Sequence, residues 1–174
     1  MKIIIILSAL AGCLIASCTG NATVRQTVEP ISEPTAREIE APITFDDDVV
    51  GISWRLSEIK KGVEAVYVDR AQLEADGMGD VYTLRFENGN VSGKGAPNNF
   101  RAPYKVESAS LSIGLAARTL IASIREPVVL QENEFFDYLA KVSSWSLADG
   151  ILTLATVDAD GSETALSFSR NDLP

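Results

Sequence analysis

Tyr82-Thr83-Leu84-Arg85-Phe86-Glu87-Asn88-Gly89 is the stretch that decides the fold class. Tyr82, Leu84 and Phe86 alternate with Thr83, Arg85 and Glu87, so one face of a strand is apolar and the other polar. Asn88-Gly89 then supplies the residue pair that best tolerates positive φ at both central positions of a tight turn, which predicts a hairpin. Just beyond it, Gly93-Lys94-Gly95 lacks the third glycine and the strand-to-helix setting of a dinucleotide loop. Glycine there points to a bulge or a close backbone approach.

The same rhythm extends in both directions. Ile52, Trp54 and Leu56 alternate with Ser53, Arg55 and Ser57, and residues 64–68 form a further short strand. Asp69 to Gly79 is a polar excursion with a helical turn expected at Ala71–Ala75. Tyr104/Val106 and Leu111/Ile113 lie on either side of Glu107-Ser108-Ala109-Ser110. Trp145/Leu147 and Leu152/Leu154 flank Asp149-Gly150, a second hairpin signal, and Leu166/Phe168 follow the turn Asp158–Gly161. One segment departs from period two. Across Gln131–Val142, Phe135, Leu139 and Val142 fall at helical spacing with Tyr138 beside them, while Glu132, Glu134, Asp137 and Lys141 are expected on other faces. Acidic residues in its first turn suit the helix dipole. The expectation is a mainly β domain: a small antiparallel barrel, half-barrel or sandwich with one packed α-helix. Its core is expected around Trp54, Leu84, Phe86, Trp145, Leu154 and Phe168, with Phe135 and Leu139 of the helix covering the open side.

The N-terminus reads as an address. Lys2 precedes an apolar run, Ile3 to Ala16, that is short for a transmembrane helix, which needs about 20 apolar residues. Leu14-Ile15-Ala16-Ser17-Cys18 resembles a bacterial lipobox. That resemblance implies cleavage after Ser17, a diacylglycerol on the Cys18 sulfur and a further acyl chain on the new amine, enough for stable anchoring. An uncleaved anchor and an ordinary cleaved signal are the alternatives. Residues 1–17 are thus expected to be a signal peptide. Residues 18–48, with Pro30, Pro34, Pro42 and a single aromatic, Phe45, are expected to be a disordered acidic tether, Asp46-Asp47-Asp48 being a solvated run at its end. The folded domain is expected over 49–170. Thr19 after the Cys favours the outer over the inner membrane if the envelope is Gram-negative.

Composition removes whole classes of chemistry. The chain has no His, which excludes Ser-His-Asp and Cys-His catalysis and His-ligated metals. Of its two Cys, Cys13 leaves with the signal and Cys18 carries lipid, so no thiol remains for redox or nucleophilic work. The net charge of −9, one unit more negative after processing, argues against nucleic acid. Ser57-Glu58-Ile59-Lys60 spells a Ser-x-x-Lys, but without the companion elements of penicillin-binding enzymes and on a strand. A calcium loop starting at Asp158 would need Gly at 163 and Glu at 169, where the chain has Glu163 and Ser169. Glu132 and Glu134 are two apart on a helix, point in different directions and are expected to be a solvated face rather than a glycosidase pair. No metal and no cofactor is expected. Asn98, Asn99 and Tyr104, amides and an aromatic beside a Gly/Pro-rich loop, are the candidate recognition loop. The competing reading has Asn98 bonding its own turn and Tyr104 filling the core.

The order of motifs resembles the META/HslJ-like domain. Trp54-Arg55-Leu56 opens it, and Leu84-Arg85-Phe86, Gly89 and the run Val91 to Asn98 follow. Tyr104, then Leu111, Ile113 and Thr119, a helix with Glu134, Phe135 and Leu139, and finally Leu152-Thr153-Leu154 and Leu166-Ser167-Phe168 complete it. The Cys pair of many members is missing, Ala96-Pro97-Asn98 and Leu120-Ile121-Ala122-Ser123 standing in its places. The resemblance implies a small lipocalin-like barrel with one helix on an envelope lipoprotein, without established enzymatic activity, in a family linked to heat shock, antibiotic tolerance or virulence. The functional expectation is a non-enzymatic, monomeric envelope lipoprotein that binds or supports an envelope protein partner. A lipocalin-like carrier of a small apolar ligand is the alternative, and an enzyme of unfamiliar type stands behind both.

Overall fold

The structure, a computed structural model, describes residues 42–122, 127–158 and 160–171. The expected signal peptide, the lipidation site Cys18 and the tether up to residue 41 lie outside the described residues. In chain order the elements are α1 (Phe45–Asp48), β1 (Ser53–Lys61), β2 (Glu64–Tyr67), α2 (Arg70–Ala75), β3 (Thr83–Glu87), β4 (Asn90–Lys94) and β5 (Asn99–Glu107). After these come β6 (Ser110–Ile113), β7 (Ala117–Arg118), α3 (Glu132–Lys141), β8 (Val142–Ala148), β9 (Ile151–Val157) and β10 (Glu163–Arg170).

Eight antiparallel strands close into a barrel in the order β1-β3-β4-β5-β6-β8-β9-β10, and β10 returns to pair with β1. The half-barrel alternative is therefore resolved in favour of a closed ring. β2 extends β1 beside β3, and the two-residue β7 pairs with β5. The expected turns are where the sequence placed them. Asn88 (φ 51°) and Gly89 (φ 72°) close β3–β4, and Asp149 (φ 52°) and Gly150 (φ 73°) close β8–β9, both with the positive φ of a type I′ turn. A Cβ on Gly93 would lie 1.8 Å from the Thr83 carbonyl oxygen, so the expected close approach is real and only glycine fits.

Burial alternates along the strands, with one instructive slip. In β1, Trp54 and Leu56 point inward, and the next inward residue is Ile59 rather than Glu58, because the register with β10 shifts between Leu56 and Glu58. That bulge re-phases the strand. Ser57 uses it to donate from Oγ to the Ser167 carbonyl at 3.0 Å.

The barrel is filled. Trp54, Tyr82, Phe86, Phe135, Phe168, Leu56, Leu84, Leu111, Leu152, Leu154 and Leu166 are all essentially without exposure. Aromatic rings gather at the two ends. Phe86 and Tyr104 join Phe45 and Trp145 at one end, and Tyr82, Phe100, Phe135 and Phe136 form the second group at the other. Trp145, expected in the core, is half-buried at the rim of the first end, its Nε1 donating to the Ser108 carbonyl at 2.8 Å.

The expectation of a tether reaching Asp48 is corrected. Phe45 is 4% exposed, lying edge-on to Phe86 and Trp145 at 5.1 and 4.9 Å between ring centroids. Thr44 caps the turn: its Oγ1 accepts from the Asp47 amide, and its own amide donates to Asp48 Oδ2 at 2.7 Å. Two of the three aspartates thus serve a capping box that seats an aromatic plug. Val49, fully buried, accepts the Trp54 indole N–H at 3.2 Å and completes this end.

Helix α2 arrives where a helical turn was expected. Arg70, at its start, lays its guanidinium on the carbonyls of Leu56 and Val81 (both 2.8 Å) and Tyr82 (3.4 Å). Burial, and then the neighbouring Arg55, lower its pKa to about 10, so it remains a cation at neutral pH.

Candidate functional site

Helix α3 lies across the second end of the barrel. Phe135, Phe136 and Leu139 are buried, Glu132 and Glu134 occupy the first turn and Lys141 the last, in accord with the helix dipole. Phe135 packs on Tyr82 at 5.1 Å and Phe136 on Phe100 at 5.2 Å. The Tyr82 hydroxyl donates to the Leu130 carbonyl and fixes the approach to the helix.

Glu132 does not face water. It is 8% exposed, and its Oε1 accepts the amides of Ala96 and Asn98, each at 2.6 Å, while Asn98 Nδ2 donates to Oε2 at 2.7 Å. The expected solvated face therefore holds for neither glutamate in full, since Glu134 is also engaged. A buried carboxylate is tolerated here because three N–H donors replace its water. Gly95 makes room, for a Cβ there would sit 2.7 Å from Oε1. The Ala96–Pro97 peptide within this loop is cis.

Asn98 passes the link onward. Its Oδ1 accepts from Thr119 Oγ1 (2.9 Å) and the Ile121 amide (2.7 Å), and Nδ2 also reaches the Ile121 carbonyl at 3.2 Å. The candidate recognition loop is corrected accordingly. Asn98 is buried and spent on holding residues 119–121, not on its own turn and not on solvent. Asn99 is exposed, its amide donating to Thr119 Oγ1 at 3.1 Å. Tyr104 lies five positions along β5, at the end occupied by α1, against Phe86 at 5.1 Å. The three residues do not share a surface.

What the Asn98–Thr119–Glu132 latch does present is the segment outside it. Leu115 (95%), Leu120 (97%) and Ile121 (54%) stand exposed beside α3. A groove of about 530 Å³ runs between this segment and the helix, lined by Phe100, Leu115, Phe136 and Leu139 among others, and a smaller cleft of about 300 Å³ adjoins it. Arg118, whose guanidinium sits 4.5 Å from the Phe136 ring centroid, borders both.

On the far side of α3, Lys61 Nζ meets Glu134 Oε1 at 2.7 Å, and the Tyr138 hydroxyl donates to the same oxygen at 2.5 Å. Hydrogen bonding to Lys61 and then Tyr138 lowers the Glu134 pKa, and the bonds to Glu134 and Tyr138 raise that of Lys61. Between β9 and β10, Asp160 Oδ1 accepts from Ser162, and Asp158 pairs with Lys141 at 2.9 Å. Among the described residues no three His, Cys, Asp or Glu side chains converge as a metal site.

A family model described as META domain matches residues 47–172. The chain belongs to the META domain family. The match spans the whole strand ring, from before Trp54 in β1 to beyond Phe168 in β10, and includes α3. No curated protein matches the chain. Among solved structures it is similar to an NMR structure of a protein from Burkholderia xenovorans, 21% identical, covering 83% of this chain and 98% of that one with a TM-score of 0.54. It is also similar to the crystal structure of a DUF4847 family protein from Bacteroides vulgatus, 12% identical, covering 75% of this chain and all of that one with a TM-score of 0.52. At these identities the likeness is one of fold. Within the META domain, Asn98, Thr119 and Glu132 form the latch. The sequence singled out the first two but led the helix with Glu134, because nothing local distinguishes a glutamate that meets amides 34 and 36 residues away.

Proposed function

We propose that this META domain protein is a non-enzymatic lipoprotein of the bacterial envelope, held to a membrane through Cys18, whose barrel docks an envelope protein along the α3 rim. One observation carries the reading. Among the described residues, eight of the nine exposed large apolar side chains lie at the α3 end or on the β1–β2 hairpin beside it, and only Ile43 lies elsewhere. Exposed apolar groups gathered on one rim mark an interaction surface better than scattered ones do. The rim is also the end opposite to Phe45, where α1 packs on Phe86 and Trp145. The filled interior weighs against the carrier alternative, since Trp54, Phe86 and Phe168 occupy the space an apolar ligand would need. Lys61, Glu134 and Tyr138 are spent on one another, which weighs against acid–base work by that cluster.

The test has two arms. Metabolic labelling with an alkyne fatty acid is expected to mark the wild type and to be lost in Cys18→Ser; equal labelling would remove the anchor from the proposal. A photo-crosslinking amino acid at Leu120 is expected to give one protein adduct of defined mass that Leu115→Glu abolishes, while the same group at Lys105 on the barrel wall gives none. Equal adducts from both positions would defeat the rim.

A further inference from the structure

The opposite end of the barrel carries a cleft of a different character. It has a volume of about 710 Å³ and lies between the entering chain around Phe45, strand β5 at Tyr104 and Val106, and strand β8 at Trp145 and Leu147. Phe45 is its floor, with Trp145 edge-on at 4.9 Å and Tyr104 tilted at 5.6 Å. Both flanking rings are half-buried and held in place. The Trp145 indole is tied to the Ser108 carbonyl at 2.8 Å, and Tyr104 is braced by Phe86 at 5.1 Å.

Among the described residues one lining residue is charged. Asp46 borders the cleft, is exposed, and forms no hydrogen bond or ion pair with any described residue, whereas its neighbours Asp47 and Asp48 are committed to Thr44. Among the described residues no Lys or Arg lines the space. Aromatic faces attract cations through their quadrupole, and the carboxylate adds a full charge of the same preference. Val106 and Leu147 favour an apolar coat over a strongly hydrated ion. A neutral apolar ligand would have to cover Asp46 without compensating its lost water.

From this geometry we infer that the α1-end cleft binds a small organic cation with an alkylated ammonium head, held against Tyr104 and Trp145 and neutralised by Asp46. The site is separate from the α3 rim and does not depend on the docking proposal.

The experiment uses the full chain in dodecyl maltoside. Choline is titrated against its neutral isostere 3,3-dimethylbutan-1-ol, followed by saturation-transfer NMR and by the emission of Trp145, Trp54 being fully buried. Choline is expected to bind at least about fivefold more tightly than the isostere, the order of a partly desolvated cation–π contact. Asp46→Asn is expected to weaken choline about threefold or more with the melting temperature unchanged, and Trp145→Leu to abolish the preference for charge. Equal binding of the two probes, no binding of choline, or an undisturbed affinity in Asp46→Asn would each overturn the assignment. Phosphatidylcholine in mixed micelles with the same detergent forms the last arm: competition by the lipid assigns the cation to a lipid headgroup, and its absence assigns it to a free solute.

Discussion

Glu132 and Asn98 hold each other twice, through the Asn98 amide to Oε1 at 2.6 Å and through Nδ2 to Oε2 at 2.7 Å. Each also has a partner of its own: Glu132 the Ala96 amide, Asn98 the 119–121 segment. Removing either leaves buried donors or acceptors unmatched. Glu132→Ala and Asn98→Ala are each expected to cost about 2–4 kcal/mol, from loss of charge-assisted bonds and orphaning of their partners. In a double-mutant cycle by urea denaturation the two should couple by about 1 kcal/mol or more. Additive effects would show that the latch does not act as a unit.

Phe45 gives a second expectation. Its truncation to Ala should cost about 3–5 kcal/mol, as buried aromatic truncations do. A chain beginning at Val49 should accordingly melt well below one beginning at Pro42. Matching melting curves would place the domain boundary after the plug.

The pair Lys61–Glu134 predicts a pH signature of modest size. Glu134, with its folded pKa below 4.5, contributes stability that is present above that value and fades as the pH falls through the folded pKa. Lys61, raised above 10.5, contributes below that value and loses its part as the pH rises through the folded pKa. The side chains are 51% and 40% exposed, so solvent screening holds the pair to about 0.2–1 kcal/mol. Glu134→Gln should therefore be slightly less stable than wild type at pH 7 and indistinguishable from it well into the acid range. A gap that widens on acidification would contradict the pairing.

Arg70 supports three carbonyls with one planar fork. A lysine ammonium is a point donor on a flexible stem and cannot span Leu56, Val81 and Tyr82 together. Arg70→Lys is expected to lose about 1–3 kcal/mol by thermal or chemical denaturation. Full retention of stability would mean that water replaces the fork without cost.

The strands were legible because their evidence is local. Leu84 and Phe86 alternate within one short strand, and Asn88-Gly89 names its own turn. Helix α3 was legible through Phe135 and Leu139. Phe45 was not, since one aromatic among aspartates has no period; the Thr44-Phe45-Asp46-Asp47 spacing of a capping box was the available sign. Glu132 was hidden for another reason. Its burial depends on amides that only the closed barrel brings to it, and sequence spacing carries no record of them. Tyr104 and Asn99, near in sequence, part company because the extended β5 between them spans roughly 17 Å at about 3.3 Å per residue.

The ring of strands is unevenly stitched. β1 and β10 share seven residue pairs, but β6 meets β8 at Ser110 and Ser144 alone, reinforced by the Trp145 amide to the Ala109 carbonyl at 3.0 Å. The barrel is thus a long sheet rolled until its edges touch, with a thin joint on the side where α3 crosses from β7 to β8. A fluctuation that parts this joint breaks few backbone bonds and leaves every other ladder intact. Amide protons facing it should exchange with solvent through such local opening, while those between β1 and β10 wait for the whole domain to unfold.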